Sequence, residues 1–157
     1  MKIRYADKSD TPALCRLMQQ VQTVHAEAHP DLFLAELDRD EAAAFFDRIR
    51  SNPRNLLLVA DISGAVVGYI WCEERTGNQG FHRKATHTAY VQHISVDPDR
   101  LRRGVGKALI DHALAELRLM SVESIGVDYW SFNERARAFF LSLGFAQQRE
   151  ILFRRLS

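Results

Sequence analysis

A strand, a basic turn with two glycines, a long helix and a second strand follow one another from Thr86 to Tyr129, and this succession constrains the fold more than any other feature of the chain. The first strand, Thr86–Val96, is closed by Asp97-Pro98. Val105, Leu109, Ala113, Leu117 and Met120 recur at helical spacing and predict a helix over Gly104–Met120, after which Ser124–Tyr129 reads as a strand. A crossover of this length sets its two strands parallel.

The other elements are joined differently. Met1–Tyr5 reads as a short strand. Ser9-Asp10-Thr11-Pro12 is a helix start with proline tolerated in the first turn, and Leu14, Leu17, Met18, Val21 and Val24 or His25 follow at helical spacing. His29-Pro30-Asp31 breaks that helix, because the residue before proline is pushed out of the helical region. A second helix is expected from Asp38 to Arg50, striped by Ala42, Phe45, Phe46 and Ile49. Leu56–Asp61 and Ala65–Cys72 flank Ile62-Ser63-Gly64 as a hairpin, and Thr76–Lys84 reads as a mobile loop. Past the crossover, Asn133–Leu143 is a helix ending at Gly144, and Phe145–Leu156 is expected to contain one or two final strands. The fold class is α/β (α+β), a mixed and mostly antiparallel central sheet flanked by helices. No repeat or linker interrupts the pattern, so residues 1–157 are read as one domain.

A chain of 157 residues buries about two-thirds of its unfolded surface and needs no disulfide or metal staple. Its composition, 46% hydrophobic and 26% charged, excludes disordered, collagenous and coiled-coil classes. Lys+Arg 21 against Asp+Glu 20 gives a net charge of +1, so no global field recruits nucleic acid or an anionic membrane; the Arg100/Arg102/Arg103 cluster is a weaker pointer to nucleic acid. Cys15 and Cys72 are too few for a disulfide framework and read as small core residues; with no leader and no apolar run long enough to span a bilayer, a cytoplasmic setting is expected. His25 and His29 are four apart, but no third ligand is evident, and no metal is expected.

The turn Asp97-Pro98-Asp99-Arg100-Leu101-Arg102-Arg103-Gly104-Val105-Gly106-Lys107 concentrates the chemistry. Helix-start amides lack intrahelical partners and lie at the positive end of the helix dipole; glycines let a ligand approach them, and the arginines with Lys107 add local positive charge, a combination suited to a pyrophosphate. The same glycines also serve a helix that merely starts tightly. A Walker A loop is excluded because Leu101 stands where its first glycine belongs, and a dinucleotide fingerprint because Leu109 stands at its third.

This segment resembles the R/Q-x-x-G-x-G/A cofactor motif of the GNAT superfamily N-acetyltransferases. Asn133-Glu134-Arg135-Ala136-Arg137-Ala138-Phe139-Phe140-Leu141-Ser142-Leu143-Gly144-Phe145 is similar to the family's N-x-x-A-x-x-F-Y-x-x-x-G-F signature, and Asp61–Tyr69 to its central hairpin. The resemblance implies acetyl-CoA in a gap where two parallel strands, here Tyr90–Val96 and Ile125–Tyr129, splay apart. It implies cofactor contacts from the Ile94, Ser95 and Val96 stretch, whose backbone pairs with pantetheine, from Arg102, Arg103, Gly104, Val105, Gly106 and Lys107 around the pyrophosphate, and from Asn133 and Phe140. Two departures stand out. Leu101 occupies the R/Q position, although Arg103-Gly104-Val105-Gly106-Lys107-Ala108 also fits the formula. Phe140 stands where many members carry a tyrosine that protonates the departing thiolate; it is equally readable as a core aromatic.

The implied chemistry is attack by a neutral amine on a thioester, which needs a route for the ammonium proton and a donor for the oxyanion. Candidate catalytic residues are Asp128, where some members acetylating protein N-termini carry a glutamate; His93, a residue type whose intrinsic pKa lies in the useful range; and Tyr90, where histone-acetylating members carry a glutamate base. His25, His29, Phe33, Gln92 and Tyr129 are candidates for binding the acceptor, a small-molecule or protein amine, with Trp130 as a wall and Thr76–Lys84 as a lid. A catalytically weak CoA-binding or regulatory domain is the competing reading, and a homodimer is among the assemblies open to a domain of this size.

Overall fold

A computed structural model describes residues 1–154 and 156. Its elements are β1 (Lys2–Tyr5), α1 (Thr11–Ala28), α2 (Arg39–Ser51), β2 (Asn55–Ile62), β3 (Ala65–Gly77), β4 (Thr86–Val96), α3 (Val105–Leu119), β5 (Ser124–Val127) and α4 (Glu134–Ser142). The sheet runs β1-β2-β3-β4-β5, antiparallel at every junction except the parallel pair β4/β5.

β2 explains the longest apolar run in the chain. Leu56, Leu58 and Ala60 face α3, while Leu57 and Val59 face α1 and α2, so helices cover this strand on both sides. On the first face Val105, Leu109, Ile110, Ala113 and Leu117 of α3 pack with Ile70, Cys72, Ala89 and Val91. On the second, Leu14, Leu17, Phe46 and Ile49 close over Val66 and Tyr69. Among the described residues no helix is long and apolar enough to cross a membrane, and no group of three His, Cys, Asp or Glu side chains is placed to hold a metal.

Local chemistry sets the boundaries. Asp38 caps α2 by accepting from the amides of Asp40 and Glu41, and Asn133 caps α4 by accepting from Ala136. The β2–β3 hairpin turns on Ser63 and Gly64, both at positive φ, the backbone that matches the right-handed twist of the strands. Arg4 ties three elements: it donates to Asp10 at 2.7 and 2.9 Å and to Asp61 at 3.1 and 3.3 Å. The Gly64 amide and the Arg4 guanidinium hold the Asp61 carboxyl below its usual range.

Three boundaries differ from the sequence expectation. β3 runs to Gly77 and pairs to Thr86, so Thr76 and Gly77 belong to a strand and the connecting loop is shorter than Thr76–Lys84. This extension projects past the helices, where side chains meet partners other than a core: Glu74 reaches His87 at 2.5 Å, and Arg75 reaches Glu73 at 3.0 and 3.1 Å. β5 stops at Val127 instead of Tyr129 because β4 diverges from it there. The described residues from Phe145 onward form no strand; Ile151, Leu152 and Phe153 lie exposed, with no neighbouring strand to supply a ladder.

Phe46 is fully buried and meets the Tyr69 ring edge-on at 5.6 Å. Phe46→Ala is expected to cost about 3–5 kcal/mol, lowering Tm in a thermal melt by roughly 10 °C. A loss below about 1 kcal/mol contradicts the assignment of Phe46 to the core.

Candidate functional site

β4 carries one residue more than β3 can pair. Trp71 opposes His93 and Cys72 opposes Val91, which leaves Gln92 as a bulge. β4 pairs with β5 only from Thr88/Ser124 to Val91/Val127, so from Gln92 to Val96 its β5-facing edge has no strand partner among the described residues. The side chains also divide there. Ile94 and Val96 pack toward α3, whereas Ser95 faces α1 and donates its hydroxyl to the Leu17 carbonyl at 2.9 Å.

The basic turn lies at the end of this gap. Arg102 (φ 57°) and Gly104 (φ 81°) adopt left-handed backbone, and Gly104 precedes α3 without any side chain capping the first amides. A Cβ on Gly104 would touch nothing within 4 Å, so its conformation is what calls for glycine. Gly106 differs: a Cβ there would lie 3.1 Å from the Phe139 ring, so this glycine lets α4 approach α3. Gly68, which sequence reasoning missed, does the same beneath the turn, where a Cβ would lie 2.9 Å from the Ser95 carbonyl oxygen and 3.3 Å from Val105. Lys107 pairs with Asp111 at 2.6 Å, and Arg103 is exposed. Pro98, Leu101, Arg102 and Arg135 line a depression of about 420 Å³. Arg135 also went unnoticed; its only signal was its place two residues into the Asn133-capped helix.

On the other side of the gap, rings gather from two separated segments. His25 lies 5.0 Å from Phe33 and 6.0 Å from Phe132; His29 lies 5.2 Å from Trp130 and 5.4 Å from Phe132; Phe33 meets Trp130 at 5.3 Å. The end of α1 and the loop after it thereby meet the β5–α4 loop. Three of the expected acceptor residues are together here, and Phe132 joins them. Its proximity to Trp130 just after a strand was the available clue.

The other candidates are distributed around this cluster. His93 bonds through Nδ1 to the Tyr69 hydroxyl at 2.9 Å. Burial, helped by the charge of His25, pushes its pKa down to about 4. Burial and the neighbouring His29 lower His25 as well. The Tyr90 ring lies under the Arg75 guanidinium at 4.5 Å and against Gly126, where a Cβ would come within 2.8 Å of it. Gln92 donates to Glu73 at 2.8 Å. Asp128 is exposed just past β5 and makes no hydrogen bond or ion pair among the described residues. Tyr129 packs toward the α3-side core, and Phe140 is buried in it between Phe139 and Phe145. Cys72 is also buried, its thiol pushed up to about 12, while Cys15 packs beside the α1–α2 core.

The lowered His93 value has a consequence for stability. Because the unfolded chain takes up this proton first, the contribution of neutral His93 is complete above about pH 6.5 and is lost as pH falls toward 4, by about 3 kcal/mol at most. Urea unfolding between pH 7 and 4 is expected to show a steeper acid loss for wild type than for His93→Gln. Identical slopes contradict the burial of a neutral imidazole.

The sequence profile described as the Acetyltransferase (GNAT) family matches residues 18–145. The L-amino acid N-acyltransferase MnaT of Escherichia coli is 26% identical over 145 residues, covering 92% of this chain and 79% of that protein. Mycothiol acetyltransferase of Propionibacterium freudenreichii is 30% identical over 95 residues, 60% of this chain but only 28% of that longer relative. Among solved structures, a tetramutant of the BH1408 protein from Bacillus halodurans superposes with a TM-score of 0.93 at 24% identity, covering 99% of this chain and 100% of that one. An aminoglycoside N-acetyltransferase, AAC(6')-Iy, in complex with CoA superposes with a TM-score of 0.79 at 19% identity, covering 99% and 93%. On its motifs, its parted strands and its profile match, this chain belongs to the acetyltransferase (GNAT) family.

Proposed function

We propose that the chain transfers an acyl group, acetyl first, from acyl-CoA to a primary amine by direct attack in a ternary complex. One observation carries this reading: β4 and β5 part at Gln92 directly below a helix that begins on Gly104 with uncapped amides. An extended amide-bearing arm is what a free strand edge recognises, and a pyrophosphate is what uncapped helix-start amides recognise. CoA carries both. Ile94, Ser95 and Val96 would offer main chain to the pantetheine, Gly104–Lys107 would hold the diphosphate, and Arg102 with Arg135 would flank the nucleotide end. The relatives named for N-acyl transfer and the CoA-bound fold neighbour support the same co-substrate.

The acceptor ammonium must first lose a proton; its nitrogen pair then attacks the thioester carbon, and the C–S bond breaks to release CoA thiolate while the nitrogen sheds its second proton to water and becomes the amide nitrogen. The Tyr69 hydroxyl, held protonated by burial, shares a hydrogen bond with His93 Nδ1, and with the hydroxyl as donor the imidazole proton lies on Nε2. A histidine in that state is a hydrogen-bond donor, suited to a developing oxyanion and not to proton abstraction. The proton then leaves by water toward Asp128 at the open end of β5. Phe140 has no hydroxyl and sits in the core, so the thiolate departs without an acid at that position, as its moderate basicity allows. The buried Cys72 excludes itself as a nucleophile, consistent with direct transfer. The His25, His29, Phe33, Trp130 and Phe132 cluster forms the acceptor wall, which fits a small amine or an amino-acid-like substrate.

Two experiments test this reading. Asp and Asn both tolerate left-handed backbone, and a side chain at Gly104 meets no neighbour, so Gly104→Asp and Gly104→Asn differ essentially in charge. Calorimetry is expected to show acetyl-CoA bound at least tenfold more weakly by the Asp variant than by the Asn variant, with similar Tm; equal affinities sink the diphosphate assignment. In a thiol-release assay over a panel of amines, kcat/KM is expected to rise with pH without a histidine inflection near 6.5, and Asp128→Asn to lower it about tenfold or more. An unchanged rate in that variant removes Asp128 from the proton route, and tight binding with no turnover on any amine favours the non-catalytic reading.

A further inference from the structure

The turn between β4 and α3 is anchored at few points. Across residues 98–103 no hydrogen bond or ion pair among the described residues reaches another element. The bonds there are local, from the Arg100 amide to the Asp97 carbonyl at 2.9 Å and from the Leu101 amide to the Pro98 carbonyl at 3.3 Å. On the strand side the turn is therefore fixed by Asp97, the first residue past the β3–β4 ladder, which ends at Gly68/Val96. Two elements hold Asp97. Its amide donates to the Val67 carbonyl of β3 at 2.8 Å. Arg16 of α1 grips the carboxylate as a fork: Nη1 donates to Oδ1, and Nη2 donates to Oδ2 at 3.2 Å and to the Val66 carbonyl at 3.1 Å. Gln20, one helical turn further along α1, donates Nε2 to Oδ1 at 3.3 Å.

Stability does not account for this grip. Arg16 is half-exposed, where an ion pair adds little, and Gln20 makes its bond with its Oε1 buried and without a hydrogen-bond partner among the described residues. We propose that Arg16 and Gln20 are positioning residues for acyl-CoA: through Asp97 they hold the helix-start amides of residues 104–107 in place relative to the freed edge of β4. This role rests on the acyl-CoA reading. The pantetheine and diphosphate of CoA are covalently joined, so one molecule engages both surfaces only where their separation matches its own. The Ser95 hydroxyl on the Leu17 carbonyl fastens the freed edge to α1, and Asp97 fastens the start of the turn to the adjacent Arg16. One rigid helix thus sets the separation before the ligand arrives, which spares the ordering cost on binding. His25 stands nine residues beyond Arg16 on the same helix, about 14 Å along its axis at 1.5 Å per residue, so the acceptor wall shares this frame.

Calorimetry with acetyl-CoA on the full-length wild type, Arg16→Ala, Asp97→Ala and the double variant tests the role. Each single variant is expected to bind about fivefold or more weakly, and the double variant no more weakly than either single one, because the two side chains act as a unit. Where an amine is turned over, KM for acetyl-CoA is expected to rise by the same factor in Arg16→Ala, with kcat changed less than about twofold and Tm unchanged. Hydrogen exchange needs no ligand: the Arg100 and Leu101 amides are expected to exchange about tenfold faster in Arg16→Ala than in wild type, with α3 unaltered. Wild type that binds no acetyl-CoA overturns the acyl-CoA reading and this role with it. Wild type that binds while Arg16→Ala binds equally well, a loss that falls on kcat, additive losses in the double variant, or unchanged exchange at Arg100 and Leu101 overturns the role alone.

Discussion

The bulge at Gln92 is the constraint from which the site descends. β4 is held along its length by β3, and one extra residue turns the strand so that it can follow β5 for only four pairs. A regular strand would have continued the parallel ladder and closed the sheet. The bulge also reassigns faces: His93 and Ser95 turn toward α1, and Ile94 and Val96 toward α3. One edge of main chain is thereby freed, with a different environment on each side.

What stands around that edge is equally a matter of packing. α3 begins close to the strands because Gly68 leaves room for Val105, and α4 closes on it because Gly106 leaves room for Phe139. Positive charge gathers at this place in a chain whose net charge is +1, a distribution that supports the proposed diphosphate site over a general polyanion surface. Across the gap, imidazoles and aromatic rings meet, and the buried Tyr69–His93 pair beneath them stays neutral where an exposed histidine would titrate.

Much of this was legible in the residues. Helical spacing located all four helices within a residue or two, Ser63-Gly64 marked the hairpin, and the crossover from Thr86 required the parallel pair. The outer half of β3 was not legible, because Glu73, Glu74 and Arg75 find partners across strands and carry no apolar period. Nor was Gln92 recognisable as a bulge, since a bulge is a mismatch between two strands and is written in neither alone. The same limit hid Tyr69, Phe132 and Arg135, whose neighbours are distant in sequence. Gly106 was read as room for a ligand, whereas its close neighbour within the fold is the Phe139 ring.

The central claim is that the freed edge of β4 and the uncapped start of α3 form one binding surface for acyl-CoA. Amide hydrogen exchange with and without acetyl-CoA tests it most directly. The account predicts added protection concentrated in Gln92–Val96 and Gly104–Lys107, with little change in β1 or the β2–β3 hairpin. Protection absent from those two segments, or confined to another part of the sheet, would contradict it.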